Sequence, residues 1–183
     1  MALAWCLVDT NILLRITRRS DPQHKVVDTA LAHLAEEGTT LYYTHQNIAE
    51  LWNAMTRPAD RKGLGLSVLE AEREVVAIEA GMSLLPGSEQ VYREWRKIVL
   101  RHSVSGVQVH DARLAAAMYV HGVSHILTLN VTDFGRFDGL TPLFPWHRHL
   151  RNVLYREEPN AHKANQLSNF NIVYHAASMV QLS

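Results

Sequence analysis

At 183 residues, 47% of them hydrophobic and 20% charged, the chain has the composition of one ordinary globular domain with room for a small appendage. Basic and acidic residues balance at 18 each, which excludes a protein that coats nucleic acid by bulk charge but leaves room for a local basic groove. One cysteine, Cys6, excludes a disulfide framework or a Cys-based zinc site. The apolar opening, interrupted at Asp9 and lacking a basic flank, makes a poor signal peptide and no membrane span. A soluble, cytoplasmic protein is expected.

Residues 4–8 read as a short strand, apolar on both faces as buried parallel strands are. Thr10 or Asn11 is placed to cap a first helical segment over 12–17. Ser20-Asp21-Pro22 restarts a helix that runs to about Glu37, with Val27, Ala30, Leu31 and Leu34 at helical spacing and Gly38 as its stop. The β-branched and aromatic run 39–43 predicts the second strand. A helix beginning at Thr44 or His45 follows to about Thr56, halted by Arg57-Pro58, and 59–66 is a glycine-bearing loop.

Ser67 and Glu70 have the spacing of a capping box for a helix to about Ala80. Residues 82–85 form a short strand, and 88–101 another helix. A loop spans 102–109, an alanine-rich helix 110–121 ends at Gly122, and 124–129 is a strand whose end turns away at 130–134. Residues 140–144 form a last strand. Alternating strands and helices predict a parallel sheet covered on both faces. After Pro145 the composition shifts to His, Asn and Gln with weak periodicity, so residues 1–145 are read as the domain and 146–183 as a tail of unassigned structure.

Four acids stand out against this frame. Asp9 ends the first strand, where ligands of open α/β sheets collect, although Asp is equally at home as a helix cap. Glu50 lies off the stripe formed by Ile48, Leu51, Trp52 and Met55, and periodicity alone makes it a solvated side chain. Asp111 shares a helix face with Leu114, Ala115 and Met118. It can answer the helix macrodipole or lie over the strand ends. Asp133 follows the strand ending near Leu129 and fits an Asx-turn as well as a ligand. Clustered carboxylates repel unless a cation sits among them, and hard oxygen donors select Mg²⁺ or Mn²⁺, the ions of phosphoryl chemistry.

The segments Val8-Asp9-Thr10-Asn11-Ile12-Leu13, Asn47-Ile48-Ala49-Glu50-Leu51, Val109-His110-Asp111-Ala112-Arg113-Leu114-Ala115-Ala116-Ala117 and Leu127-Thr128-Leu129-Asn130-Val131-Thr132-Asp133-Phe134 resemble, in that order, the acidic motifs of PIN-domain ribonucleases. The similarity is nearest to VapC-type toxins of prokaryotic toxin–antitoxin pairs and covers residues 3 to 145. It implies a Rossmann-like α/β/α sandwich and Mg²⁺- or Mn²⁺-dependent RNA cleavage. It further implies Asp9, Glu50, Asp111 and Asp133 as the acidic constellation. In that constellation Asp9 and Asp111 ligate the metal directly, and Glu50 and Asp133 directly or through water. Thr10, Asn11 and Asn130 would orient these carboxylates, and a cognate antitoxin and a homodimer are expected by family analogy.

Arg15, Arg18 and Arg19 after the first motif, and Arg57, Arg61 and Lys62 after the second, are candidates for phosphate contact, against the commoner meaning of such charges as a solvated face. Tyr42, Trp52 and Trp95 are read as core packing before base stacking. His147 and His149 show no persuasive ligand spacing. The competing readings are a degenerate PIN module acting in RNA binding or regulation, and another Mg²⁺-dependent phosphohydrolase. For the latter, the Asp-x-Asp pattern of one aspartyl-nucleophile class is missing, since Thr10 and Asn11 follow Asp9.

Overall fold

The computed structural model of the chain describes residues 3–146. The expectations for the tail beyond Trp146, His147 and His149 included, lie outside the described residues.

Five short strands alternate with helices: β1 (Trp5–Val8), α1 (Thr10–Thr17), α2 (His24–Glu36), β2 (Thr40–Thr44), α3 (His45–Thr56), α4 (Val68–Gly81), β3 (Ser83–Leu85), α5 (Glu89–Arg101), α6 (Gln108–His121), β4 (His125–Leu127), α7 (Val131–Phe134) and β5 (Thr141–Leu143). The strands form one parallel sheet in the order β3-β2-β1-β4-β5. Successive side chains of a strand point to opposite faces. Cys6 and Val8 of β1 accordingly join a core with Ile12, Leu31, Leu51 and Val75 from α1–α4. Leu7, between them, packs on the other face with Val91, Ile98, Leu114, Met118 and Phe134 from α5–α7. The expected three-layer α/β/α sandwich with a central parallel sheet is the fold of this chain.

The strand order fixes where a ligand can bind. From β1 the chain builds outward through β2 and β3, then crosses back to lay β4 and β5 on the other side of β1. Crossovers leaving in opposite directions open a crevice at the carboxyl ends of the two strands between them, here β1 and β4. Asp9 follows β1 and Thr128 follows β4, and the Asp9 N–H donates to the Leu127 carbonyl at 3.0 Å.

Several expectations need correction. Helix α1 starts earlier than the 12–17 segment. Its cap position belongs to Asp9, not Thr10 or Asn11, and the Asp9 side chain makes no capping hydrogen bond. Helix α2 starts at His24 rather than at Ser20-Asp21-Pro22, because Asp21 Oδ1 accepts the Gln23 N–H at 2.9 Å and closes a local turn instead. Helix α6 starts at Gln108 and shortens the expected loop, with no side-chain cap to mark the boundary. Strand β4 ends at Leu127, two residues short, because the Leu129 N–H donates to Asn11 Oδ1 (3.1 Å) and leaves the ladder.

The other boundaries hold within a residue or two. Thr44 caps α3 with Asn47 closing a capping box, and Ser67 with Glu70 does the same for α4. Gly122, at φ +71°, ends α6 in a left-handed conformation. Within 59–66 a single 3₁₀ turn forms at Ala59–Arg61, and the loop doubles back so closely that a Cβ on Gly63 would lie 1.8 Å from the Arg57 carbonyl oxygen.

A carboxylate pocket at the switch point of the sheet

Asp9 is 7% exposed at the end of β1. Its Oδ2 accepts from Thr128 Oγ1 and Asn11 Nδ2, both at 2.6 Å. Asn11 Nδ2 also donates to Thr128 Oγ1, which accepts the Asn130 N–H in turn. These bonds stitch the ends of β1 and β4 together and fix one oxygen of Asp9. Burial nevertheless raises the Asp9 pKa above its ordinary value, and the charge of Glu50 adds to the rise.

Glu50 is not the solvated residue its helical position predicts. It retains 33% exposure, but Oε2 accepts from Thr10 Oγ1 at 2.8 Å and Oε1 accepts from Gln46 Nε2 at 2.8 Å. His110 Nδ1 lies 3.3 Å from Oε1. Behind them Asn47, fully buried, donates to Thr10 Oγ1 at 3.0 Å while its Oδ1 accepts from the Thr44 N–H and hydroxyl. The face of α3 opposite its apolar stripe is therefore a polar interior lying against α1 and α6, and no periodicity argument distinguishes that from solvent.

Asp111 lies in the first turn of α6 and is half-buried. Its pKa is pushed up to about 6, first by burial and then by the charges of Asp9, Asp133 and Glu50, with Arg136 working against them. One carboxyl thus feels all three others, drawn from residues more than 120 positions apart. Asp133 is in α7, with 34% of its side chain exposed. Arg136 Nη2 lies 3.9 Å from Asp133 Oδ1, its Nε donates to the Asp133 carbonyl at 3.1 Å, and its Nη1 donates to Gln108 Oε1 at 2.7 Å, tying α7 to the start of α6.

As arranged, no group of three His, Cys, Asp or Glu side chains among the described residues is gathered tightly enough to hold a metal by itself. The donor set still suits a hard cation. Mg²⁺ keeps several waters and takes one or two carboxylates, and the mutual repulsion evident in the raised Asp111 pKa is what a divalent ion relieves.

The expected orienting residues divide. Thr10 and Asn11 each donate to a carboxylate, whereas Asn130 joins the network through its backbone N–H. Thr128, Asn47, Gln46, His110 and Arg136 emerge only from the structure, although Thr128 and Arg136 stand close to expected site residues in the chain. Gln46 bridges Glu50 Oε1 and the His110 carbonyl, and its own Oε1 is buried without a partner among the described residues, a cost on the order of 1–3 kcal/mol.

Of the basic candidates, Arg15 is held by Asp21 (3.5 Å) and Gln23 (3.3 Å), and Arg18 and Arg19 are exposed. Arg57, Arg61 and Lys62 stand beyond the far end of α3, with Arg57 seven residues past Glu50, roughly 10 Å of helix rise. Tyr42 and Trp52 pack against the two cores as expected. Trp95 does so too, with its indole N–H donated to the Val109 carbonyl at 3.0 Å.

Among solved structures, the Mycobacterium tuberculosis toxin VapC20, described as cleaving the sarcin–ricin loop, is similar at 13% identity and TM-score 0.56, covering 74% of this chain and 98% of its own. VapBC2 from Rickettsia felis, bound to a DNA fragment from its promoter, gives 13% identity, TM-score 0.56 and coverages of 76% and 98%. FitAcB from Neisseria gonorrhoeae gives 22% identity, TM-score 0.56 and coverages of 78% and 99%. These likenesses concern the fold. No curated protein matches the chain significantly. The family model described as PIN domain matches residues 6–140, and the chain belongs to the PIN-domain family.

Proposed function

We propose that the protein is a Mg²⁺- or Mn²⁺-dependent endoribonuclease acting as the toxin of a type II toxin–antitoxin pair. The observation that carries this reading is the electrostatic convergence of Asp9, Glu50, Asp133 and Asp111 on one crevice. Family membership and the likeness to toxin structures support it. In this reading Asp9 and Asp111 hold the ion, and Glu50 and Asp133 complete its shell directly or through water. The ion supplies a Lewis acid and an acidified water for attack on phosphorus.

The chain's own residues do the remaining work. Thr128 and Asn11 fix Asp9, Thr10 and Gln46 fix Glu50, and one carboxylate of the set accepts the proton of the attacking water. VapBC2 and FitAcB were solved as named assemblies, which supports an antitoxin partner for this chain. A homodimer and a cytoplasmic location belong to the same proposal. No described helix is long and apolar enough to cross a membrane.

The test is incubation of partner-free protein with structured RNA and Mn²⁺ or Mg²⁺. Cleavage is expected to stop with EDTA and to fall at least about a hundredfold in Asp111→Asn, the scale of a lost positioned acid–base group. Cleavage that survives either change overturns the assignment.

A further inference from the structure

A cavity of about 580 Å³ opens beside the carboxylate pocket, at the same edge of the sheet. Thr44 and Leu85, the last residues of β2 and β3, form its floor, and Tyr92, Trp95 and Arg113 stand on its α5 and α6 walls. Gln46 also lines it, and through Nε2 that side chain holds Glu50 Oε1 at 2.8 Å. Gln46 therefore belongs to both spaces, lining the cavity and holding a carboxylate of the crevice.

The chemistry of the two spaces is opposite. Four acids face the crevice, whereas no Asp or Glu lines the cavity and Arg113 supplies a positive charge. The Trp95 ring is held in place by its bond to the Val109 carbonyl, and Tyr92 lies against it with centroids 5.9 Å apart and planes tilted by 34°. Tyr92 is 54% exposed, so ring surface remains for a ligand. The volume falls within the range of small-ligand sites. A single unpaired nucleotide fits such a space and a duplex does not. Aromatic faces accept any base, and an arginine is suited to the phosphate.

We propose that this cavity is the subsite for one unpaired nucleotide of the RNA strand beside the bond to be cut, its base stacked on Tyr92 and Trp95 and its phosphate facing Arg113. The assignment rests on the ribonuclease reading above. Gln46 lines the subsite and holds Glu50 Oε1, and so couples occupancy of the subsite to the position of Glu50.

The experiment measures binding of fluorescein-labelled oligoadenylate, and of an abasic chain of the same length, to the full-length Asp111→Asn protein with Mn²⁺ present. Tyr92→Ala and Arg113→Gln, both at exposed positions, are compared in that background. Tyr92→Ala is expected to weaken oligoadenylate binding between about fivefold and about a hundredfold, the range of one lost base stack, and to narrow the preference over the abasic chain. Arg113→Gln is expected to weaken both chains and to reduce the salt dependence by about one phosphate contact.

Unchanged affinities in both variants, beside a wild type that cleaves RNA, overturn the subsite alone; that pattern is also the outcome if the cavity receives a protein partner instead. A wild type that does not cleave, with the Tyr92→Ala loss still present, overturns the ribonuclease reading and leaves a nucleotide site. No binding of RNA by any form overturns both.

Discussion

The Asp111 carboxyl is raised from its ordinary 3.8 to about 6, so the folded protein binds a proton there more tightly than the unfolded chain does. The folded state is thus penalised as pH rises through the window from about 4 to about 6, and the raised Asp9 adds in the same direction. Without divalent ions, these two carboxyls favour a higher melting temperature at pH 5.5 than at pH 7.5, while His125, whose pKa burial lowers, works in the opposite direction over the same range. Asp111→Asn removes the Asp111 share, so the variant gains on the wild type more at pH 7.5 than at pH 5.5. Discounted for the solvent around a half-exposed carboxyl, its stabilisation at neutral pH is on the order of 1 kcal/mol, or roughly 2–4 °C for a chain of this size. A stabilisation by Asp111→Asn that is no larger at pH 7.5 than at pH 5.5 in thermal melts contradicts the burial and repulsion of this carboxyl. Cys6 lies at the other extreme: it is fully buried, its thiol is pushed up to about 12, and it should resist a thiol reagent until the protein is unfolded.

Among the elements, the junction of β1 and β4 is extended past the end of the ladder by side-chain hydrogen bonds. Thr128→Val keeps the shape but removes the donor to Asp9 and the acceptor for Asn130. It is expected to cost about 1–3 kcal/mol and to slow cleavage, as chemical denaturation and initial rates will show. The loop after α3 is a contrasting case. Gly63→Ala drives a methyl into the Arg57 carbonyl and should destabilise more than Gly38→Ala, where φ is +84° but nothing lies within 4 Å of the added carbon. Thermal melts of the two variants decide whether steric crowding or backbone strain costs the fold more. Neither substitution lies among the carboxylates, so specific activity of the folded fraction should stay unchanged.

For the whole molecule, the sheet order makes one crevice and four elements fill it with negative charge. A divalent ion that binds only the folded state stabilises it by mass action, by about 2.7 kcal/mol at a hundred times its dissociation constant. The melting temperature should therefore rise with Mn²⁺ at pH 7.5 and much less at pH 5.5, where Asp111 is protonated. Equal shifts at both pH values would indicate binding elsewhere. The β/α alternation, most helix boundaries and the core stripes were readable from local pattern, because apolar period, capping residues and glycine stops act over a few residues. The residues Asp9 and Asp133 were readable as strand-end acids for the same reason.

Glu50 was not readable from periodicity, which placed it in solvent, and only its likeness to a family motif singled it out. Its neighbour Gln46 lies one turn away on the same helix, but Thr10 and His110 come from α1 and α6, and that meeting is a property of the fold. Local burial period and residue chemistry were enough to read the parallel sheet, its two apolar faces and the acids at the strand ends. Only the folded arrangement brings Thr128, beside the local Asn11, onto the same oxygen of Asp9. It also decided that Asp111 carries the charge of three distant carboxylates and that Gln46 stands between the acids and a cavity lined by none. Such contacts arise where crossovers turn in opposite directions, and no window of sequence contains both sides of that turn.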